Sequence, residues 1–327
     1  MTGQPRLLVL RAIGLGDFLT GVPALRMLRT ALPAHHLVLA APGVLGPLVE
    51  LCDAVDEHLP TAELAPPAWT GRPPDVAVDL HGNGPASKRL LQELRPGRLV
   101  AFGGPGGDGR PVEGPAWAAD EPEVVRWCRL VEEAFGETAR PDDVSLRPPS
   151  VPSPAPGAVV VHPGAAYPSR RWPADRYAEV ARHLAGEGVQ VVLTGTAQEA
   201  DLAEDVRRRA GLRASSVLAG RLDLGGLAAL VSEAALVVCG DTGVGHLATA
   251  YSTPSVLLFG PTSPAHWGPP RPGPHTVLWH GEGRGDPHGG EVDPALMRIG
   301  VGEVVAAARS RLRARPHLSA GTSRPGW

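Results

Sequence analysis

Short apolar runs recur along the chain, each closed by a glycine-containing turn and followed by residues at helical spacing. The first run, residues 6–10 (RLLVL), has strand length and leads into Gly14-Leu15-Gly16-Asp17. Over residues 18–32 the apolar positions Leu19, Val22, Leu25, Met27, Leu28 and Leu32 stand mostly three or four apart, which predicts a helix. Pro23 is best tolerated near a helix start, so the preceding loop is expected to run to about Thr20. Further strands are predicted at 37–40, at 75–80 ending in His81-Gly82-Asn83-Gly84, and at 99–102, with a helix at 121–135. The pattern restarts with strands at 158–161 and 189–193, helices at 175–187, 199–209 and 224–234, and a strand at 236–239. A glycine turn, a helix at 244–250, a strand at 255–259 and a last helix at 301–313 follow. Alternating β and α segments predict an α/β protein with doubly wound parallel sheets.

Residues 140–157, RPDDVSLRPPSVPSPAPG, carry six prolines and no periodicity. They read as a stiff linker between a domain at 1–150 and a second at 151–315, with 316–327 a disordered tail. At 327 residues and 43% hydrophobic content, each half can bury a core of its own. The net charge of −3 gives no basic field for nucleic acid, and Lys88 is the single lysine. Cys52, Cys128 and Cys239 have no metal-ligand spacing, so a reducing, cytoplasmic setting is expected. No apolar run approaches a membrane span, which limits membrane contact to the periphery.

The chemistry concentrates in residues 237–261, VVCGDTGVGHLATAYSTPSVLLFGP. Strand, glycine turn, helix and strand form a βαβ unit whose turn aims backbone N–H groups at one point, where the helix dipole favours an anion. Thr242 adds a hydroxyl and His246 an imidazole, which suits a diphosphate. The competing reading makes Asp241 only a helix cap. The loop at 14–21 has its third glycine misplaced for a dinucleotide fingerprint, and no acidic residue ends the next strand. It instead places Asp17 at the end of the first strand, as a base facing a cleft or as a helix cap. Arg170 or Arg171 in PSRRW can close over phosphate. Glu199, after Thr194-Gly195-Thr196, can accept ribose hydroxyls or stabilise a helix start.

Taken together, these segments resemble glycosyltransferase family nine, the bacterial heptosyltransferases and their relatives. The resemblance rests on RAIGLGDFLTGVPALRMLR, VDLHGNGPAS, HPGAAYPSRRWPADRYAEVA, VVLTGTAQE, LAGRLDLGGLAALV and GDTGVGHLATAYSTPSVLLFGPTSP in that order. It implies a GT-B fold, two Rossmann-like domains across a cleft, with the acceptor on the N-terminal domain and the nucleotide sugar on the C-terminal one. In this fold family the last helix packs back on the N-terminal domain. By the same resemblance Asp17 is the catalytic base, and Asp241, Thr242, Gly243 and His246 form the pyrophosphate loop. Arg170 stands where the family has a phosphate-binding lysine, Glu199 matches a ribose ligand, and Leu222 lies near the base. The activity implied is inverting transfer of a sugar from a nucleotide-diphosphate donor, ADP-heptose first, in lipopolysaccharide or glycan biosynthesis. No cofactor is implied, and the lack of a D-x-D motif predicts independence of metal. Ala165 and Ala166 replace hydroxyl residues, and the N-terminal half has no lysine-rich patch for a phosphorylated lipid core. The acceptor thus stays open between a glycan, a lipid-linked sugar and a small molecule. The alternatives are a nucleotide-sugar epimerase, which turns over donor alone, and a non-catalytic nucleotide-binding protein.

Overall fold

The computed structural model describes residues 3–282 and 285–314. Strands β1 (Arg6–Leu10), β2 (His36–Ala41), β3 (Glu57–Pro60), β4 (Val76–Asp79) and β5 (Arg98–Val100) form a parallel sheet in the order β3-β2-β1-β4-β5. A small antiparallel hairpin, β6 (Gly104–Pro105) and β7 (Pro111–Val112), follows. The second parallel sheet holds β8 (Val159–His162), β9 (Val191–Leu193), β10 (Leu236–Gly240), β11 (Ser255–Phe259) and β12 (His275–Trp279), ordered β12-β11-β10-β8-β9. Helices α1 (Leu15–Ala31), α2 (Gly46–Val49), α3 (Pro85–Glu93) and α4 (Glu123–Phe135) belong to the first half. Helices α5 (Ala174–Gly186), α6 (Ala200–Ala210), α7 (Leu224–Ser232), α8 (Gly243–Ala250), α9 (Pro264–Trp267), α10 (Pro294–Arg298) and α11 (Val301–Arg313) belong to the second.

The central strands are apolar on both faces because both faces are covered. Leu7 and Val9 of β1 pack with Phe18, Val22 and Leu25 of α1, whereas Leu8 and Leu10 point the other way, toward Leu90 and Leu91 of α3. In the second sheet Val160, Val237 and Cys239 share the inner core with the first half. Val159, Val161 and Val238 face Trp172, Tyr177 and the last helix, α11, through Val304 and Ala308. The last helix therefore packs on the second sheet, contrary to expectation, because its apolar stripe continues the core of α5 and β11.

Each sheet reverses direction once. The first does so between β1 and β4, and the second between β8 and β10. Open α/β sheets bind ligands outside the carboxyl ends of the strands at that reversal. The two reversals face each other, with α1 packed against α8.

Helix α1 starts at Leu15 and keeps Pro23 in its interior, so the loop is shorter than the proline suggested. Burial of Phe18, Leu19, Val22 and Leu25 around it offsets a penalty of about 3 kcal/mol for an interior proline. Residues 140–157 carry no helix or strand but are held down: Arg26 Nη1 donates to Asp143 Oδ1 at 2.5 Å, and Arg147 Nε lies 2.6 Å from Asp53 Oδ1. The expected tail at 316–327 lies outside the described residues. Among the described residues, no helix is long and apolar enough to cross a membrane.

Candidate active site

Two βα turns meet at the centre of the molecule. Leu15 packs on Gly243, where an added Cβ would fall 2.7 Å from Leu15 Cγ, and Gly16 lies against His246, where an added Cβ would fall 3.0 Å from Cδ2. Only residues without side chains permit this approach, which brings the first turn of α1 onto the first turn of α8.

Asp17 sits inside the first turn of α1, half-buried. The N-cap is Gly14, without a side-chain cap bond, so the cap reading of Asp17 does not hold. Its carboxylate leans back toward Gly14 and is close enough to act electrostatically on His246, Asp241 and His81. On the facing turn the N-cap of α8 is Thr242, not Asp241, and again no side-chain cap bond forms. Both acidic residues are thereby left for other work.

Asp241 is buried, and burial pushes its carboxyl up to about 6, opposed by the positive charge of Arg170 and a hydrogen bond from Thr262. Burial pushes His246 down to about 4, so near neutrality it is an uncharged imidazole, stacked edge-on to Trp267 with ring centroids 5.9 Å apart. A neutral imidazole can still donate one N–H to a phosphate oxygen. A pocket bounded by Gly240, Asp241, Thr242, His246, Phe259 and Trp267 opens here. At its edge, the 3₁₀ turn Pro168–Arg170 brings Arg170 to the reversal between β8 and β10.

Among the described residues, six buried side-chain atoms have no hydrogen-bond partner, and three of them are Ser169 Oγ, Arg170 Nε and Thr242 Oγ1. Buried polar groups are nearly always paired, so orphans in two loops flanking one reversal make this end of the sheet a candidate place for a polar ligand. The two arginines of PSRRW separate clearly. Arg171 Nε donates to the Ala165 carbonyl at 2.7 Å, which ties it to its own loop, while Arg170 keeps an uncommitted Nε beside Asp241.

Glu199 and Leu222 lie farther along the same sheet, past the end of β9. One carboxylate oxygen of Glu199 closes a capping box, taking the Thr196 N–H at 2.8 Å, and the carboxylate rests against Gly164. The helix-start reading of Glu199 is thus observed, with Oε1 left over for another donor. Residues 217–218 run beside β9 through the bridge of Val217 to Leu193 and the Leu218 N–H bond to the Leu193 carbonyl. This brings half-buried Leu222 into the same region.

Four residues given no individual site role by sequence reasoning surround this arrangement. Ser169 was visible only as the neighbour of an arginine. His81 follows β4, directly across the first reversal from Asp17, and its Nδ1 is buried without a partner. Behind it, Asp79 is fully buried and pushed up to about 6, accepting from Ser87 Oγ at 2.7 Å and the His81 N–H at 2.9 Å. The fourth, Arg11, is wholly buried beneath the Asp17 turn; its charge just after an apolar run was its only sequence signal.

Two Rossmann-like parallel sheets with facing reversals define an α/β protein of GT-B architecture. A family model described as glycosyltransferase family 9 (heptosyltransferase) matches residues 115–283, just over half of the sequence. The chain belongs to glycosyltransferase family 9. Its fold is similar to that of E. coli ADP-heptose LPS heptosyltransferase II, with a TM-score of 0.73 and 22% identity over 94% of this chain and 98% of that one. A glycosyl transferase family 9 structure from Veillonella parvula gives 0.74 and 20% identity, covering 94% and 97%. The E. coli heptosyltransferase WaaC with ADP gives 0.68 and 19%, covering 94% and 99%. No curated protein matches by sequence.

Proposed function

We propose that this glycosyltransferase transfers a sugar with inversion from a nucleotide-diphosphate donor to a hydroxyl acceptor, ADP-heptose being the first candidate donor. The observation that supports the reading is the meeting of the two reversals, which packs the turn carrying Asp17 onto the turn carrying Thr242 and His246. The half containing the first sheet, residues 1–150, takes the acceptor, and residues 151–315 take the donor. The E. coli relatives named above, an LPS heptosyltransferase and a WaaC structure with ADP, make an adenine nucleotide and a lipopolysaccharide core the first ligands to try.

In this mechanism Asp17 takes the proton from the acceptor hydroxyl as that oxygen attacks the anomeric carbon. The diphosphate leaves on the opposite face, toward the N-terminus of α8. Its developing charge is met by the backbone N–H groups of the Asp241–Gly243 turn, the Thr242 hydroxyl, the Arg170 guanidinium and the neutral imidazole of His246. Asp241 acts by holding Arg170 through charge, since an ionised carboxylate repels phosphate. Glu199 Oε1 accepts from the ribose, and Leu222 packs on the base. Because arginine and the helix supply the positive field, turnover is expected to persist in chelator.

The test is a thermal-shift screen of nucleoside diphosphates, followed by donor turnover with and without lipopolysaccharide core oligosaccharide. ADP stabilisation with acceptor-dependent ADP release from ADP-heptose is the expected result. Conversion of a nucleotide sugar in the absence of acceptor would favour epimerisation instead.

A further inference from the structure

Arg11 is fully buried, and a buried guanidinium demands a partner for its charge and for its five N–H groups. The partners come from both sides of the first reversal. Nε donates to the Asp17 carbonyl, Nη1 donates to the Leu80 carbonyl at the end of β4, and Nη2 donates to Thr20 Oγ1 at 2.9 Å. Thr20 in turn donates to the same Asp17 carbonyl at 2.9 Å. One side chain thus ties the turn that carries Asp17 to the strand end that carries His81.

The charge is balanced as tightly as the donors. Asp17 and Glu123 both act on Arg11 electrostatically, and Glu123 Oε1 stands 3.8 Å from Nη2. Glu123 is itself fixed by Trp127 Nε1 at 2.7 Å and by Arg126, and the Trp127 ring lies 4.7 Å from the Arg11 guanidinium carbon. Space is reserved as well. A Cβ on Gly21 would fall 2.6 Å from Arg11 Cδ and 2.7 Å from Nε, so a side chain at that helix position would displace the guanidinium.

We infer that Arg11 is a positioning residue for sugar transfer: it holds the Asp17 turn against the end of β4 and so fixes where the base meets the acceptor. The inference rests on the reading of Asp17 as base. Lysine keeps the charge but is a single point donor, unable to serve three acceptors at the fork spacing of a guanidinium. Misplacement of a reacting group by about 1 Å costs up to ~10²-fold in rate.

Two variants of the full chain, Arg11→Lys and Gly21→Ala, test the claim, alone and combined with Asp17→Asn. ADP release from ADP-heptose with lipopolysaccharide core oligosaccharide should fall about 10- to 100-fold in each single variant, while ADP affinity stays within about twofold. In the Asp17→Asn background the same changes should cost little further, because their effect runs through that carboxylate. Additive losses in the double variants, or unchanged turnover in the single ones, would overturn the inference. Amide hydrogen exchange decides the holding claim without any turnover: residues 14–20 and 80–82 should exchange faster in Arg11→Lys, with residues 236–250 unchanged. Unaltered exchange at 14–20 would refute it. Full turnover in Asp17→Asn alone would instead sink the base assignment.

Discussion

Removing Arg170 separates its proposed role in anion binding from its electrostatic effect on Asp241. In the Arg170→Ala variant the diphosphate loses a hydrogen bond to a charged donor, worth about 1.5–3 kcal/mol. That corresponds to roughly 10- to 150-fold in affinity, since about 1.4 kcal/mol is tenfold. The stability effect is bounded differently. Asp241 is held near a pKa of about 6 by burial against the attraction of Arg170. Its ordinary value is 3.8, so its folded pKa is raised, and any favourable contribution it makes fades as pH rises through 6. Without Arg170 the carboxyl protonates sooner than remain a buried unpaired charge. At pH 7, one unit above its pKa, that protonation costs about 1.4 kcal/mol. Stability should therefore fall by no more than about this at pH 7 and by almost nothing at pH 5, where the wild-type carboxyl is already protonated. Adding Asp241→Asn to Arg170→Ala should restore the melting temperature at pH 7 without restoring affinity. Calorimetric titration with ADP and melting at the two pH values measure both effects on one preparation. ADP affinity unchanged in Arg170→Ala would refute the anion seat, and an equal stability loss at pH 5 and 7 would refute the Arg170–Asp241 coupling.

Further outcomes follow from the facing turns. His246→Ala should weaken ADP binding about tenfold, and because the imidazole is already neutral above a pKa of about 4, the loss should be flat between pH 6 and 8 in the same titration. Gly243→Ala drives a Cβ to within 2.7 Å of Leu15, so turnover should fall about tenfold or more, and Leu15→Gly in the same chain, which removes the Cβ, Cγ and Cδ2 atoms it meets, should restore most of it.

Most of the sheet architecture was legible because both central strand sets are doubly covered and read as continuous apolar runs, as in LLVL of β1 and SVLLF of β11. Strands β3 (EHLP) and β12 (HTVLW) were not, since Glu57 and His58 interrupt the first and no residue of the second is fully buried, whereas the other two edges, β5 and β9, keep buried apolar residues. Helix α3 was not predicted: it opens at Pro85 directly after the HGNG turn, and its buried face includes a lysine, Lys88, that an apolar pattern does not register. The glycine turns at 14–17 and 240–243 pointed to the right strand ends, since a turn between a buried strand and a helix is a local feature. What they left open was which acidic residue capped a helix, and in the structure neither does, because Gly14 and Thr242 take those positions. The choice between Arg170 and Arg171 depended on the Ala165 carbonyl, a fold-dependent partner that composition does not reveal. Arg11 was hidden most completely, since its acceptors at Asp17, Thr20 and Leu80 converge only once β1 and β4 pair.

The central claim, that Asp17 is the base of a sugar transfer, is tested most directly by Asp17→Asn. The side chain caps no helix, so the amide forfeits a favourable first-turn charge of about 0.3–1 kcal/mol and a share of the charge balance of Arg11, which Glu123 still supplies, and the protein should stay folded and melt only modestly below wild type. Its charge bears unfavourably on the ionisation of Asp241 across the cleft, so ADP affinity should hold or improve slightly. ADP release from ADP-heptose in the presence of lipopolysaccharide core oligosaccharide should fall about 10²- to 10⁴-fold, because an amide cannot accept the acceptor's proton. A folded Asp17→Asn protein that binds ADP normally and turns over near the wild-type rate would contradict the account.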